Sequence, residues 1–173
     1  MNPPATFNLD AEALYQTLRE KVREWLAARP SAVMVGIWTG GAWLATRLHA
    51  DLGLPGAVGV ISSSLHRDDF GERGMASGTD ATKLGFAIEG QHILLIDDVL
   101  FTGRTIRATI NELYDFGRPA SVALAVLVDR GGRQLPIEPT FAAAKVDLPS
   151  TQRLSLVRDE AGRFSLTVKS VEA

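Results

Sequence analysis

Four short runs of this chain carry almost no polar side chain, at residues 32–37, 57–61, 92–96 and 121–128, and amphipathic stretches alternate with them. An uninterrupted apolar run is what a strand buried on both faces requires, and such strands belong to parallel sheets with helices on each side. The first amphipathic stretch places Leu14, Leu18, Val22, Trp25 and Leu26 on one stripe, with Asp10 ahead of it and Pro30 beyond its end. The Asp10 carboxylate is placed to accept from unpaired amides of a first helical turn. Residues 42–51 turn Trp43, Leu44 and Leu48 inward, and residues 105–116 repeat Ile106, Ile110, Leu113 and Phe116 before Gly117. The pattern predicts an α/β fold: a central, mostly parallel sheet flanked by helices and joined by right-handed crossovers. A short strand is expected over 84–88, and beyond Gly131, Gly132 and Pro136 the order loosens. Residues 153–157 and 164–168, joined by Asp159-Glu160-Ala161-Gly162, predict a closing hairpin, a small C-terminal β segment.

Length and composition narrow the function. The 173 residues are expected to form one domain over 1–173, large enough to build a core without staples. The chain has no cysteine, which excludes a disulfide framework, a thiolate zinc site and a cysteine nucleophile. A net charge of -2 argues against a generally basic coat for nucleic acid. No apolar run approaches the ~20 residues that cross a bilayer, and residues 1–7 lack the features of a signal peptide. The expectation is a soluble, cytoplasmic protein with no membrane partner.

In a parallel sheet, ligands bind beyond the carboxyl ends of the strands. That rule points to three loops, at 39–41, 62–83 and 97–105. The second is a long polar stretch with three glycines and no strand or helix period, a length that is usually functional. The third is the most informative. The apolar run 93–96 ends in Asp97 and Asp98, and the chain continues through Thr102, Gly103, Arg104 and Thr105 into a helix. Amides around Gly103 at a helix start, with the hydroxyls of Thr102 and Thr105, form a cradle for a phosphate monoester. The two carboxylates are placed to accept from neighbouring sugar hydroxyls, directly or through magnesium. Neither Gly-x-x-x-x-Gly-Lys-Ser/Thr nor Gly-x-Gly-x-x-Gly is present.

The stretch Asp97-Asp98-Val99-Leu100-Phe101-Thr102-Gly103-Arg104-Thr105 resembles the phosphoribosyl pyrophosphate (PRPP) motif of type I phosphoribosyltransferases. More narrowly, it differs by one aromatic swap from the Asp-Asp-Val-Leu-Tyr-Thr-Gly-Arg-Thr of the PyrR family, pyrimidine-operon regulators with uracil phosphoribosyltransferase activity. The resemblance extends through Arg107, Gly117-Arg118-Pro119 and the run from Leu127 through Asp129-Arg130-Gly131-Gly132-Arg133 to Ile137. Upstream it includes Val35-Gly36-Ile37-Trp38-Thr39-Gly40-Gly41 and Arg67-Asp68-Asp69-Phe70.

The resemblance implies the type I phosphoribosyltransferase fold, with PRPP and uracil as substrates, UMP as product or effector, and Mg2+ as cofactor. It implies that Asp97 and Asp98 hold the ribose hydroxyls or the metal, and that Phe101, Thr102, Gly103, Arg104 and Thr105 surround the 5'-phosphate. Thr39, Gly40 and Gly41 would meet pyrophosphate, although Gly40 stands where the family commonly has Arg. Residues 62–83 would form a mobile hood carrying His66, Arg73 and a catalytic Arg67, and Asp129, Arg130 and Val146 would lie at the base. Phe101 occupies the position where purine-specific relatives often carry a catalytic Asp, which suits a pyrimidine. Regulators of the family bind a messenger-RNA leader through a basic face of a dimer, so a homo-oligomer (dimer or tetramer) and an RNA partner are further expectations. Against RNA, Glu20 and Glu24 interrupt Arg19, Lys21, Arg23 and Arg29 on the first helix, and Gly132 replaces the His frequent in regulators.

Overall fold

The computed structural model describes residues 9–62 and 82–170. Five strands form its main sheet: β1 (Val33–Ile37), β2 (Gly59–Ile61), β3 (His92–Leu100), β4 (Ser121–Asp129) and β5 (Phe141–Lys145). They lie in the order β2-β1-β3-β4-β5, and every neighbouring pair is parallel. The chain runs from β1 outward to β2, then returns to place β3 on the other side of β1. The order therefore reverses between β1 and β3, the position at which such sheets open a crevice at their carboxyl edge.

The apolar strands are covered on both faces, as their composition requires. On one face, Leu94, Ile96, Ala125 and Leu127 pack with α1 (Ala11–Ala27), α2 (Gly40–Asp51) and a separate antiparallel hairpin, β6 (Gln152–Arg158) and β7 (Phe164–Ser170). On the other, Ile93, Leu95, Leu124 and Val126 pack with Ile106, Ile110 and Leu113 of α3 (Arg104–Phe116). Asp10 caps α1 as expected, its Oδ1 accepting from the amides of Glu12 and Ala13 at 3.0 and 3.1 Å. The buried stripe of α1 runs through Ala11, Tyr15, Leu18 and Val22, so Tyr15 takes the innermost place expected for Leu14. Its hydroxyl donates to Asp51 at 2.7 Å, which meets the demand of a buried phenol.

Three expectations are corrected. Residues 84–88 form no strand; Lys83 makes only an isolated antiparallel bridge to Val60. The loosely patterned region after Pro136 contains β5, which extends the sheet beside β4. The central strand runs to Leu100, so Asp97 and Asp98 lie within β3 and not beyond it. No helix among the described residues is long and apolar enough to cross a membrane.

The hairpin is fastened to the first helix by a charged clamp. Arg47 of α2 donates through both terminal nitrogens to Glu12, at 2.8 and 2.9 Å, and the Phe164 amide donates to the same carboxylate at 2.7 Å. The hydrogen bond from Arg47 holds the Glu12 carboxyl below its ordinary value of 4.5, against an opposing push from burial. A depressed folded value means that the stabilisation is complete above about pH 4.5 and is lost as pH falls through the folded value. Glu12→Gln is expected to cost about 1–3 kcal/mol at neutral pH and to flatten the acid side of the stability profile. Thermal melts of both proteins from neutral to acidic pH check this; parallel profiles would contradict it.

Candidate active site

The carboxyl ends of β1 and β3 are framed by two helix starts. Backbone amides of a first helical turn lack partners within the helix. The N-cap residues of α2 and α3, Thr39 and Gly103, make no side-chain cap bond of their own. This contrasts with α1, where Asp10 supplies the acceptor. Both termini stand at the carboxyl edge of the sheet, one following β1 and the other β3, and each favours an anion. Gly103 takes a φ of 90°, a left-handed conformation that suits glycine and turns the chain from the acidic strand into α3. The Thr102 hydroxyl, almost fully buried, accepts from the Arg104 amide at 3.2 Å. The Thr102 carbonyl accepts from the amides of Gln134 and Leu135, so a second loop clamps the bend from below.

The two carboxylates are not equivalent. Strand alternation turns Asp97 toward the α3 face and Asp98 toward the α2 face. Asp97 is 6% exposed, and its Oδ1 accepts from the Asp98 amide at 3.0 Å. Asp98 is half-buried against the start of α2. A Cβ placed on Gly40 would stand 2.5 Å from Asp98 Oδ2 and 2.6 Å from its Cγ. The glycine that replaces the family's Arg is therefore the floor on which the second acid rests. Gly41 is tighter still, since its Cβ would meet the Ile96 carbonyl oxygen at 2.2 Å. These two glycines let α2 begin directly against the end of β3, which brings residues 39–41 to the acidic pair. The Trp38–Thr39 peptide at the entrance is cis.

Among the described residues, no three His, Asp or Glu side chains group to hold a metal. Two hard carboxylate oxygens on separate sides of a strand fit magnesium held largely by water and substrate oxygens; they do not form a cage of their own.

The loop after β4 has its polar atoms engaged within the chain. The buried Asp129 carboxylate accepts from the Gly131 amide at 3.2 Å and from Arg133 at 2.7 Å. Arg133 also donates to the carbonyls of Ile137 at 2.7 Å and Phe101 at 2.9 Å, tying this loop to the acidic one. The Arg130 guanidinium donates to the backbone carbonyls of Gln152, Leu148 and Pro149. Burial pushes its pKa below the ordinary arginine value, with Asp147 acting in the opposite sense. The Val146 amide donates to the Asp129 carbonyl at 2.9 Å, which brings the segment after β5 beside the same loop.

The structure thus places Thr39, Gly40, Gly41, Asp97, Asp98 and residues 101–105 at the carboxyl ends of β1 and β3, with Asp129, Arg130 and Val146 at those of β4 and β5. His66, Arg67, Arg73 and nearly all of the 62–83 stretch lie outside the described residues. Arg133 lies within the run that carries the resemblance, but the sequence assigned it no role of its own.

The chain is similar to known proteins over most of its length. The phosphoribosyl transferase domain model matches residues 7–147. A bifunctional protein PyrR of Ralstonia nicotianae is 49% identical over 164 residues, covering 92% of this chain and 94% of that protein. A bifunctional protein PyrR of Nitrosococcus oceani is 39% identical over 96% of each chain. Among solved structures, a hypoxanthine phosphoribosyltransferase from Staphylococcus aureus superposes with a TM-score of 0.60 at 23% identity, covering 81% of this chain and 76% of that one. A purine phosphoribosyltransferase from Pyrococcus horikoshii gives 0.58 at 24% identity, over 80% and 83%. At those identities the likeness to the two structures concerns the fold alone.

Proposed function

Because this chain belongs to the phosphoribosyltransferase family, and within it to the PyrR proteins, its chemistry is phosphoribosyl transfer, and we propose that the acceptor is uracil. PRPP would supply the ribose 5-phosphate, and UMP and pyrophosphate would be the products. The observation that carries this reading is the pair of helix starts that flank one acidic doublet at the carboxyl edge of the sheet. It offers two anion sites with hydroxyl acceptors between them, as a sugar bearing a monoester at one end and a diphosphate at the other demands.

The start of α3 receives the 5'-phosphate, through its first-turn amides and the hydroxyls of Thr102 and Thr105. Asp98 and Asp97 accept from the ribose hydroxyls, each from its own side. The start of α2 receives the pyrophosphate. In the reaction the bond from the anomeric carbon to the pyrophosphate oxygen breaks, the bond to N1 of uracil forms, and the N1 proton is released. No side chain needs to bond covalently to the sugar; the protein's contribution is alignment of the partners and preorganised donors for the departing charge. Magnesium, when bound through Asp98 and substrate oxygens, supplies neutralisation of the pyrophosphate charge.

Uracil is supported by the PyrR relatives and by Phe101, which offers no acid to a purine ring nitrogen. A base panel with PRPP and Mg2+ tests it by pyrophosphate release. Release is expected with uracil and not with hypoxanthine, guanine or orotate; release with a purine, or with no base, would overturn the assignment. The PyrR relatives support a regulatory role as well, to which the first helix adds no separate signal. Arg19 and Arg23 both pair with Glu20, and Lys21 donates to the Ala142 carbonyl, which leaves the first helix a mixed, internally neutralised face.

A further inference from the structure

Arg130 is 3% exposed, and the transfer chemistry assigns it no step. Its guanidinium is nevertheless held on most of its sides. Nη1 donates to the Gln152 carbonyl at 2.8 Å, and Nη2 donates to those of Leu148 and Pro149 at 3.2 Å each. Its carbon centre lies 3.8 Å from the centroid of the Phe101 ring, within reach of a cation–π attraction. The same ring occupies the space beside Gly132, where a Cβ would stand 2.4 Å from Phe101 Cε2. Gly132 holds a φ of 77°, so both its backbone and the ring beside it favour glycine. Arg130 Nε has no acceptor among the described residues.

Burying a guanidinium on carbonyl dipoles, with one donor left over, is a poor way to gain stability alone. Its distinctive return is geometric: a planar fork reaches three carbonyls at fixed angles, which no other side chain does. The elements it joins are the informative point. Phe101 is three residues beyond Asp98 on the acidic loop, and residues 148–152 follow β5. The sheet order assigns the substrate's parts in sequence, with pyrophosphate beyond β1 and ribose phosphate beyond β3. The base is then left to the ends of β4 and β5.

We propose that Arg130 is a positioning residue for the nucleobase: by bearing on Phe101 and gripping the carbonyls of Leu148, Pro149 and Gln152, it fixes the separation between the acidic loop and residues 146–152, between which the base enters. This rests on the phosphoribosyl-transfer reading and deepens it. Asp129, Arg130 and Arg133 spend their side chains on one another's loops, so the base meets mainly backbone, and backbone position sets specificity.

Arg130→Lys and Arg130→Met test this. Lysine keeps the charge without the fork, and methionine fills the space without the charge. Both are expected to raise the KM for the base at least roughly tenfold while leaving the KM for PRPP within about twofold. Hydrogen exchange of the Leu148, Ser150, Thr151 and Gln152 amides is expected to speed up in both. A merely structural role would move both KM values together, and a role of charge alone would be rescued by lysine; either result overturns the proposal. Should the methionine variant fail to fold, Arg130→Lys alone carries the same comparison, with the exchange rates of residues 148–152 as its second readout. The failure of uracil as substrate is distinguishable. If the wild type uses another base, the KM split is read with that base. If it uses none, exchange at 148–152 decides, and unchanged exchange overturns the proposal.

Discussion

With Asp97 and Asp98 both replaced by Asn, turnover is expected to fall roughly a thousandfold or more, while the melting temperature moves by only a few degrees. The substitution keeps the shape of each side chain and one acceptor oxygen. At position 97 the carboxamide oxygen still receives the neighbouring amide that Asp97 accepts at 3.0 Å, so β3 keeps its end. What disappears is the negative charge at the sugar and the second acceptor on each group, which a transition state gathering positive character at the anomeric carbon needs. The single variants are expected to differ, because the two acids face opposite sides of the strand. Asp98→Asn, at the half-buried position above Gly40, acts mainly on turnover. Asp97→Asn, at a site 6% exposed, combines lost turnover with a measurable loss of stability. Pyrophosphate release with PRPP and uracil, with thermal melts on the same samples, checks this. Near-normal turnover in the double variant would remove the doublet from the mechanism.

Gly41→Ala carries the second large effect. Its new methyl would stand 2.2 Å from the Ile96 carbonyl oxygen and 2.9 Å from Asp97 Cα, and both obstacles are backbone in the central strand. Either α2 lifts away from β3 or the end of β3 bends. Overpacking of this kind costs about 1–3 kcal/mol, which for a chain of this length lowers the melting temperature by roughly 2–12 °C. The effect on activity is expected to be larger, about a hundredfold, because the displaced pieces are the proposed pyrophosphate site and the acid that grips the sugar. Melting curves and pyrophosphate release again report it, and a variant with unaltered activity would show that the helix start and the acidic strand need not touch.

Much of this arrangement was legible from residue types. The apolar runs identified the parallel strands because burial on both faces leaves no room for polar alternation. The Thr-Gly-Arg-Thr bend after two acids pointed to the candidate site because few other functions need that combination near a strand end. Strand β5 escaped notice for a physical reason: Phe141-Ala142-Ala143-Ala144-Lys145 has one residue of high strand propensity, and tertiary pairing with β4 decides its state. Residues 84–88 misled in the opposite sense. Leu84, Phe86 and Ile88 alternate like a strand, but they pack onto the α3 face of the core without joining the sheet. The engagement of Arg130 and Arg133 with backbone carbonyls had no signature at all, since those carbonyls belong to segments that only the fold brings near.

The clamp between Glu12 and Phe164 spans 152 positions, and the first helix packs against β4, β5 and β7. A nascent chain therefore exposes the first helix with its α2 partners close behind, while its partners in β4, β5 and β7 come from residue 121 onward. Closure of contacts so distant in sequence is slow, so the sheet and hairpin join this helix late.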